Sequence, residues 1–186
     1  MSDIWGPHLW HLLHTISFNT NEIYTSVEKK MLLSFYNNIS NMLPCIFCKS
    51  NYKRHIEQYP INNQLSGSKS LCNWVIHMHN LVNEINGKPI LTFNEVYPIH
   101  IQPSKESICY IINYLAILSF NDRRPSILLQ YLNFLKYFMY IFPTQKGKDI
   151  FIYFFNKYPI YERYKNVIYF KDWFFNLHKI LYRDGF

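Results

Sequence analysis

Apolar residues recur with a period close to 3.6 through almost the whole chain, and prolines interrupt the pattern at intervals. The periodicity predicts eight helices, at roughly 6–20, 26–42, 45–58, 68–86, 105–120, 125–141, 147–157 and 165–182. No segment of more than a few residues alternates with a period of two, which would be typical of a half-buried strand. The sequence therefore predicts an all-α fold.

The composition supports a folded chain with a substantial core. The 186 residues are 49% hydrophobic and 19% aromatic, with only five glycines, which excludes a disordered chain and disfavours a turn-rich β sandwich. The aromatic stretch at 129–142 is interrupted by polar residues and is too short to span a bilayer. We therefore expect buried helices, no membrane partner and no secretory signal at the start of the chain.

The basic character of the chain does not by itself predict a nucleic-acid partner. The formal net charge is +7, but the lysines and arginines are scattered, and Lys29-Lys30 is one of the densest clusters. A protein that binds phosphate backbones needs a contiguous basic face. We interpret the charge as a solvated surface and expect no nucleic-acid binding.

Two of the four cysteines, Cys45 and Cys48, form a CxxC motif directly after Pro44. A c-type haem would need histidine, rather than Lys49, after the second cysteine. A thioredoxin-like role would need a strand before the motif, and none is predicted. A purely structural disulfide is disfavoured because so short a loop removes little entropy from the unfolded chain.

A zinc site is the next alternative, because Cys45 and Cys48 could combine with His77 and His79 to give four ligands. On a helix, however, two residues at i and i+2 point about 200° apart. The usual spacing of zinc-binding histidines is three to five residues. A zinc-stabilised helical scaffold or interaction protein therefore stays only as the alternative function, and we expect no metal.

Thiol redox chemistry is the remaining role for the CxxC motif. Pro44 is suited to the start of a helix, which would place both cysteines in its first turn. Unpaired backbone N–H groups and the helix dipole there favour thiolates, and the sulfurs at i and i+3 can bond or separate. A dithiol alone exchanges electrons only with thiols, so transfer to oxygen would require a cofactor.

Two predicted helix faces could line a pocket for a flat aromatic cofactor. The fourth predicted helix carries Trp74, His77, Asn80 and Asn83 at a spacing of three, and the first carries Trp5, Trp10 and His14. A single tryptophan or histidine at such a position usually belongs to the core. Two such faces in a chain with a CxxC motif favour a pocket in which an aromatic ring system is stacked between tryptophan and histidine.

The chain also contains a weak internal repeat at an offset of 99 residues. Nine identical pairs fall within positions 33–80, among them Pro44 with Pro143, Tyr59 with Tyr158, and Trp74 with Trp173. The reactive cysteines correspond to Thr144 and Gly147, so the second copy keeps packing residues and lacks the dithiol. We interpret the chain as a duplicated four-helix unit, with a linker near 98–104.

Three motifs in this order, WGPHLWHLLHTIS, PCIFC and WVIHMHNLVNEINGKP, resemble the Erv/ALR family of flavin-dependent sulfhydryl oxidases over residues 5–97. The resemblance implies a four-helix bundle with a short fifth helix, and FAD at the bundle mouth beside the CxxC motif. It implies a catalytic domain at 1–100. The implied reaction makes a disulfide from two protein thiols while oxygen becomes hydrogen peroxide, and a thioredoxin-like carrier is one candidate substrate.

The resemblance also implies roles for individual residues. Cys48 would be the flavin-proximal thiolate, and Cys45 would take electrons from substrate thiols. The implied FAD contacts, with Trp74 packing beside them, are Gly6, Trp10, His14, His77, Asn80, Val82, Asn83 and Lys88.

The chain departs from the family pattern in its other cysteines. Many members have a cysteine at the position of Ile76 and another near Phe93, which together pin the short fifth helix. No second CxxC motif is present to act as a shuttle. We expect Cys72 and Cys109 to be buried, unpaired thiols.

The second half, 101–186, resembles the degenerate bundle of baculovirus-type family members, in which one chain contains both bundles. This plan implies that the second half takes the place of a partner subunit and binds no FAD, and such chains can pair again as homodimers. The resemblance suggests a large DNA virus, and so does the bias toward Asn, Ile, Lys, Tyr and Phe, which is typical of A+T-rich coding. The expected location is then the host cytoplasm or the virion. A mitochondrial or endoplasmic-reticulum homologue is the competing assignment.

Overall fold

The structure is a computed structural model and describes residues 2–121 and 124–186. Within these ranges the chain forms α-helices and one 3₁₀ helix, Ile61–Gln64, and no strand. The prediction of an all-α fold is confirmed. The α-helices are α1 (Ser2–Phe18), α2 (Ser26–Met42), α3 (Ile46–Gln58), α4 (Ser68–Ile85), α5 (Phe93–His100), α6 (Lys105–Asn121), α7 (Pro125–Tyr140), α8 (Gln145–Lys157) and α9 (Val167–Asp184).

The periodicity located eight of these helices, and the largest error is at the start of α1. That helix begins at Ser2, so Pro7 lies inside it instead of next to its first residue. A proline near a helix start removes a single backbone hydrogen bond, and the surrounding apolar residues continue the helix on both sides of it. The predicted start at residue 6 was therefore wrong by four residues.

Helix α5 was missed by the periodicity, although the family resemblance had implied a short fifth helix. Eight residues contain too few turns to display a period, and Pro98 lies among them. A capping box begins the helix: the backbone N–H of Thr92 donates to the carboxylate of Glu95 at 2.8 Å. The sequence pattern T-x-x-E at 92–95 was the signal for this helix.

The two halves of the chain meet along equivalent helices. Helix α1 packs against α6, and α2 packs against α7. In the core of this contact the ring of Phe35 lies 5.4 Å from that of Phe134, the residue 99 positions later. A residue that contacts its own counterpart is typical of an interface with two-fold symmetry.

The halves also repeat one hydrogen bond from a tryptophan side chain to the backbone. The indole Nε1–H of Trp74 donates to the carbonyl of Tyr59 at 2.8 Å, and that of Trp173 donates to the carbonyl of Tyr158 at 2.7 Å. Each bond ties the helix that carries the tryptophan to the end of the preceding α-helix, α3 or α8. Both tryptophans are buried, so each bond satisfies an indole that would otherwise lack a partner.

Candidate active site

The two cysteines of the CxxC motif form the N-terminal cap of α3. Cys45 has extended backbone angles and precedes the helix, and its Sγ accepts a hydrogen bond from the backbone N–H of Cys48 at 3.3 Å. The sulfur thus satisfies one of the N–H groups that have no partner inside the helix. The helix was predicted to begin at residue 45 and begins at Ile46, because Cys45 is itself the cap.

The two thiols differ in pKa because their surroundings differ. The Cys48 thiol donates a hydrogen bond to the sulfur of Cys45, and this bond with the backbone N–H of Cys48 lowers the pKa of Cys45. Burial raises the pKa of Cys48 to about 11, and the same thiol–thiol hydrogen bond adds to the increase. The expectation that the helix start favours thiolates therefore applies to Cys45, whereas desolvation dominates at Cys48.

A stacked tryptophan–histidine pair joins α1 to α4. The rings of Trp10 and His79 are 4.1 Å apart with an interplanar angle of 9°. Nδ1 of His79 also lies 2.9 Å from Nε2 of His14, which is completely buried. Nδ1 of His14 has no partner among the described residues. A buried polar atom without a partner beside an aromatic stack is a feature expected of a ligand site.

His79 was absent from the predicted site, which placed His77 there instead. His77 is exposed and lies edge-on to Tyr59 at 4.4 Å, because residues two apart on a helix point in nearly opposite directions. The internal repeat contained the missing signal, since His79 and His178 are one of its identical pairs.

A cavity of about 320 Å³ lies next to His77, at the end of α3 remote from the cysteines. It is lined by Tyr59 and Trp74, among others. The second half has a cavity of about 420 Å³ lined by the counterparts Tyr158 and Trp173. A cavity thus lies beside the repeated tryptophan hydrogen bond in both halves, including the half without a CxxC motif.

The predicted amide residues hold the loop that follows α4. Asn80 exchanges two hydrogen bonds with the backbone of Leu91, each of 2.8 Å. The side chain of Asn83 donates to the carbonyl of Pro89 at 3.0 Å, and the backbone N–H of Lys88 donates to the carbonyl of Asn83 at 2.8 Å. These bonds fix the shape of the loop at this end of α4.

The other predicted contact residues differ in accessibility. Val82 is half-buried on α4, and the side chain of Lys88 is exposed. Gly6 lies on α1, and a Cβ atom added there would meet nothing within 4 Å. The space beside Gly6 is therefore open, so a group that approaches this part of α1 would meet bare backbone.

Four histidines from three helices form one cluster around the stacked pair. His100 at the end of α5 stacks on His14 at 4.8 Å, and its Nδ1 lies 2.9 Å from Nδ1 of His11. Burial lowers the pKa of His14 to about 2 and the pKa values of His79 and His100 to about 4. These imidazoles are neutral at neutral pH, and they connect α5 to α1.

The two remaining cysteines are buried free thiols. The Cys72 thiol donates to the carbonyl of Ser17 at 3.2 Å. Burial raises the pKa values of Cys72 and Cys109 to about 11. Neither thiol has the exposure or the lowered pKa that a reactive cysteine needs.

Within residues 2–121 and 124–186, no three Cys, His, Asp or Glu side chains come together as ligands for a metal ion. The four residues considered for zinc are thus not gathered in one place. In the same part of the chain, no helix is both long and apolar enough to span a bilayer.

Comparison with curated proteins finds flavin-linked oxidases among the relatives. A mimivirus protein named as a probable FAD-linked sulfhydryl oxidase is 34% identical over 92 residues, which are 49% of this chain and 64% of that protein. The mitochondrial FAD-linked sulfhydryl oxidase of Schizosaccharomyces pombe is 31% identical over 46% of this chain and 47% of its own. The FAD-linked sulfhydryl oxidase of African swine fever virus is 26% identical over 57% and 87%, respectively.

This chain therefore spans between about half and two thirds of the first two relatives. The model of the Erv1 / Alr family matches residues 7–101, which include the CxxC cap, the Trp10–His79 stack and α5. This match covers half of the chain and confirms the resemblance found in the sequence. The protein belongs to the Erv1 / Alr family.

Proposed function

We propose that this protein is a flavin-dependent thiol oxidase that makes disulfide bonds in substrate proteins. The observation that carries the proposal is the helix cap formed by Cys45 and Cys48 inside the segment that matches the family. This cap presents one sulfur with a lowered pKa beside a second sulfur with a raised pKa. The relatives named as FAD-linked sulfhydryl oxidases support the same activity here.

The residues around the histidine cluster fit FAD. Trp10 and His79 offer a stacked aromatic surface, and His14 offers a buried nitrogen without a partner. Gly6 leaves open space on the same helix. We assign to FAD binding these four residues together with Val82, Lys88 and the loop held by Asn80 and Asn83.

Two predicted residues receive a different assignment. His77 points away from the cluster, so the stacking role goes to His79. Trp74 anchors α4 to the end of α3, and the same anchor is present in the half without a CxxC motif. We therefore assign Trp74 to the fold of both halves, not to the cofactor.

The thiol chemistry follows from the two sulfurs. A substrate thiolate bonds to Sγ of Cys45 in the oxidised pair, the S–S bond breaks, and its electron pair leaves with Cys48, which takes a proton. A second substrate thiolate attacks the substrate sulfur of this mixed disulfide, and Cys45 leaves as a thiolate. Its lowered pKa makes Cys45 a good leaving group. Two substrate thiols thus become one disulfide, and the cysteine pair holds two electrons.

Bound FAD supplies an acceptor that can take both electrons and pass them to oxygen as hydrogen peroxide. Both cysteines are half-buried, but burial raises the pKa of Cys48 whereas hydrogen bonds lower that of Cys45, so we assign Cys48 to the side of this acceptor and Cys45 to the substrate side. Cys48 therefore passes electrons inward and Cys45 exchanges with substrates.

The second half is proposed to take the place of a partner subunit and to bind no FAD. Gly147 is the counterpart of Cys48, and a Cβ atom there would overlap the ring of Phe142. Lys105 and Tyr182, the counterparts of Gly6 and Asn83, form a cation–π contact of 4.1 Å. These contacts support the proposal that the second half lacks room for the cofactor.

The biological setting is proposed from the same relatives. Two of the named relatives are viral, so we place the protein in a virus, acting in the host cytoplasm or the virion on thiol-containing proteins. A thioredoxin-like carrier is one such substrate. Two chains, each with its two helical halves, are proposed to pair as a homodimer, and sedimentation would measure this pairing.

The test uses the purified protein. The proposal predicts a yellow protein with one FAD per chain that consumes oxygen and releases hydrogen peroxide when dithiothreitol is added. Two FAD per chain would contradict the assignment of the second half. A colourless protein that cannot be loaded with FAD would contradict the activity itself.

A further inference from the structure

The two residues between the reactive cysteines are apolar and exposed. Ile46 and Phe47 occupy the first two positions of α3, with exposed fractions of 72% and 78%. Phe47 is more exposed than Phe93 at 38% or Phe175 at 45%. A molecule that covered these two side chains would gain free energy from their burial, and they lie directly beside a reactive sulfur.

The second half provides an internal comparison. There α8 begins with the same kind of cap, since Oγ1 of Thr144 accepts from the backbone N–H of Gly147 at 3.1 Å. Gln145 and Lys146 take the places of Ile46 and Phe47. A helix capped in this way therefore does not require apolar residues at its first two positions. The apolar pair occurs in the half that has the dithiol and is absent from the half that lacks it.

The proposed reaction identifies what would cover the pair. When a substrate cysteine forms the mixed disulfide with Cys45, the residues next to that cysteine must lie over the start of α3. Ile46 follows Cys45 directly, and Phe47 lies one residue further on. A substrate cysteine with apolar neighbours would bury this surface, whereas one with polar neighbours would leave it exposed to water.

We infer that Ile46 and Phe47 form a docking surface that selects substrate-protein cysteines flanked by apolar side chains. This inference rests on the proposed thiol oxidase function and names the substrate class of that same site. The occupant is a cysteine-containing segment of a substrate protein that is accessible enough to reach Cys45. The chemistry of transfer is that of the mixed disulfide described above.

The experiment compares two reduced peptides of equal length, each with two cysteines. One has leucine and phenylalanine next to the first cysteine, and the other has serine and glutamine, so neither flank changes the charge near the thiol. In the wild-type holoenzyme, kcat/KM should be about tenfold higher for the apolar peptide. The Phe47→Ser variant should bring this ratio close to one, and Phe47→Leu should retain most of it.

The ratio is measured on one enzyme at a time, so any change in the shared redox step cancels. Ile168→Ser is the matched control, because Ile168 is 74% exposed in the second half. It should leave the ratio at the wild-type value. Equal kcat/KM values for the two peptides in the wild type, or an unchanged ratio in Phe47→Ser, would overturn the inference.

Two further measurements distinguish a failure of the docking surface from a failure of the proposed function. If the wild type also fails to oxidise dithiothreitol, the proposed function itself fails. If Phe47→Ser converts a dimer to a monomer in sedimentation while the peptide ratio is unchanged, the surface binds a second copy of the chain and the inference is wrong.

Discussion

Nε2 of His14 lies 2.9 Å from Nδ1 of His79, so two imidazoles, of which that of His14 is fully buried, connect α1 to α4 at the stacked face of Trp10. Only one of the two nitrogens can carry the shared proton. A second contact, between His11 and His100, connects α1 to α5 in the same way. The proposed cofactor site therefore depends on histidines that stay neutral.

The first prediction concerns the stability of the flavin-free protein in acid. Burial lowers the pKa values of His14, His79 and His100 in the folded state, to about 2, 4 and 4, from 6.5 in the unfolded chain. Below pH 6.5 the unfolded chain binds protons that the folded chain does not, so stability falls as the pH falls. Each such histidine lowers the free energy of unfolding by up to about 1.4 kcal/mol per pH unit.

Urea unfolding between pH 7.5 and 5 measures this slope in a window above most carboxylate titration. His14→Gln should reduce the slope by one proton. Ser17→Ala, one turn along α1, removes no titrating group and should leave the slope unchanged. A free energy of unfolding that is constant between pH 7 and 5 would contradict the assignment of buried neutral histidines.

The second prediction separates the two histidines of the HMH sequence. His79→Ala removes the ring that stacks on Trp10 and the partner of His14, so it should weaken FAD binding by roughly tenfold or more. His77→Ala changes an exposed ring beside Tyr59 and should retain the flavin. Flavin absorbance after dialysis provides the measurement, and loss of flavin in the His77 variant alone would reverse our assignment.

The third prediction compares two helical glycines. Gly6→Ala adds a methyl group into open space and should stabilise the flavin-free protein by about 0.5–1 kcal/mol, because alanine favours helices. Gly147→Ala would overlap Phe142 and place a methyl 2.7 Å from the carbonyl of Gly185, and it should cost about 1–3 kcal/mol. Thermal unfolding of both variants tests whether the space beside Gly147, the counterpart of Cys48, is already filled.

The fourth prediction concerns the repeated tryptophan anchor. Trp74→Phe and Trp173→Phe each leave a carbonyl without its indole donor and should each cost about 1–3 kcal/mol of stability. Similar losses are expected because the two bonds are equivalent in the repeat. A large loss for one and none for the other, measured by urea unfolding, would mean that the halves do not share this anchor.

Sequence patterns predicted the fold well because most of these helices are long enough to show their period. Helix α5 is eight residues long, and only its Thr92–Glu95 capping box marks it. Pro98 lies inside this helix, and Pro7 lies further inside α1 than the predicted start at residue 6 implied. A proline costs one hydrogen bond, and tertiary packing can outweigh this loss.

The sequence predicted only part of the candidate site. Spacing along a helix does not determine which side chains face a neighbouring helix. The spacing of three that selected His77 with Trp74 follows a face that rotates around α4. Only the packing of α1 on α4 shows that His79 meets Trp10. The raised pKa of Cys48 was likewise not predictable from spacing, because it comes from partial burial in the fold and not from the helix start.

The central claim is that the Cys45–Cys48 dithiol delivers electrons to a flavin held in the first half of the chain. Anaerobic titration with dithiothreitol, followed by the visible absorbance of the flavin, tests it directly. We predict rapid bleaching in the wild type and in Cys72→Ser, and almost none in flavin-loaded Cys48→Ser. Equally rapid bleaching in flavin-loaded Cys48→Ser would contradict the account.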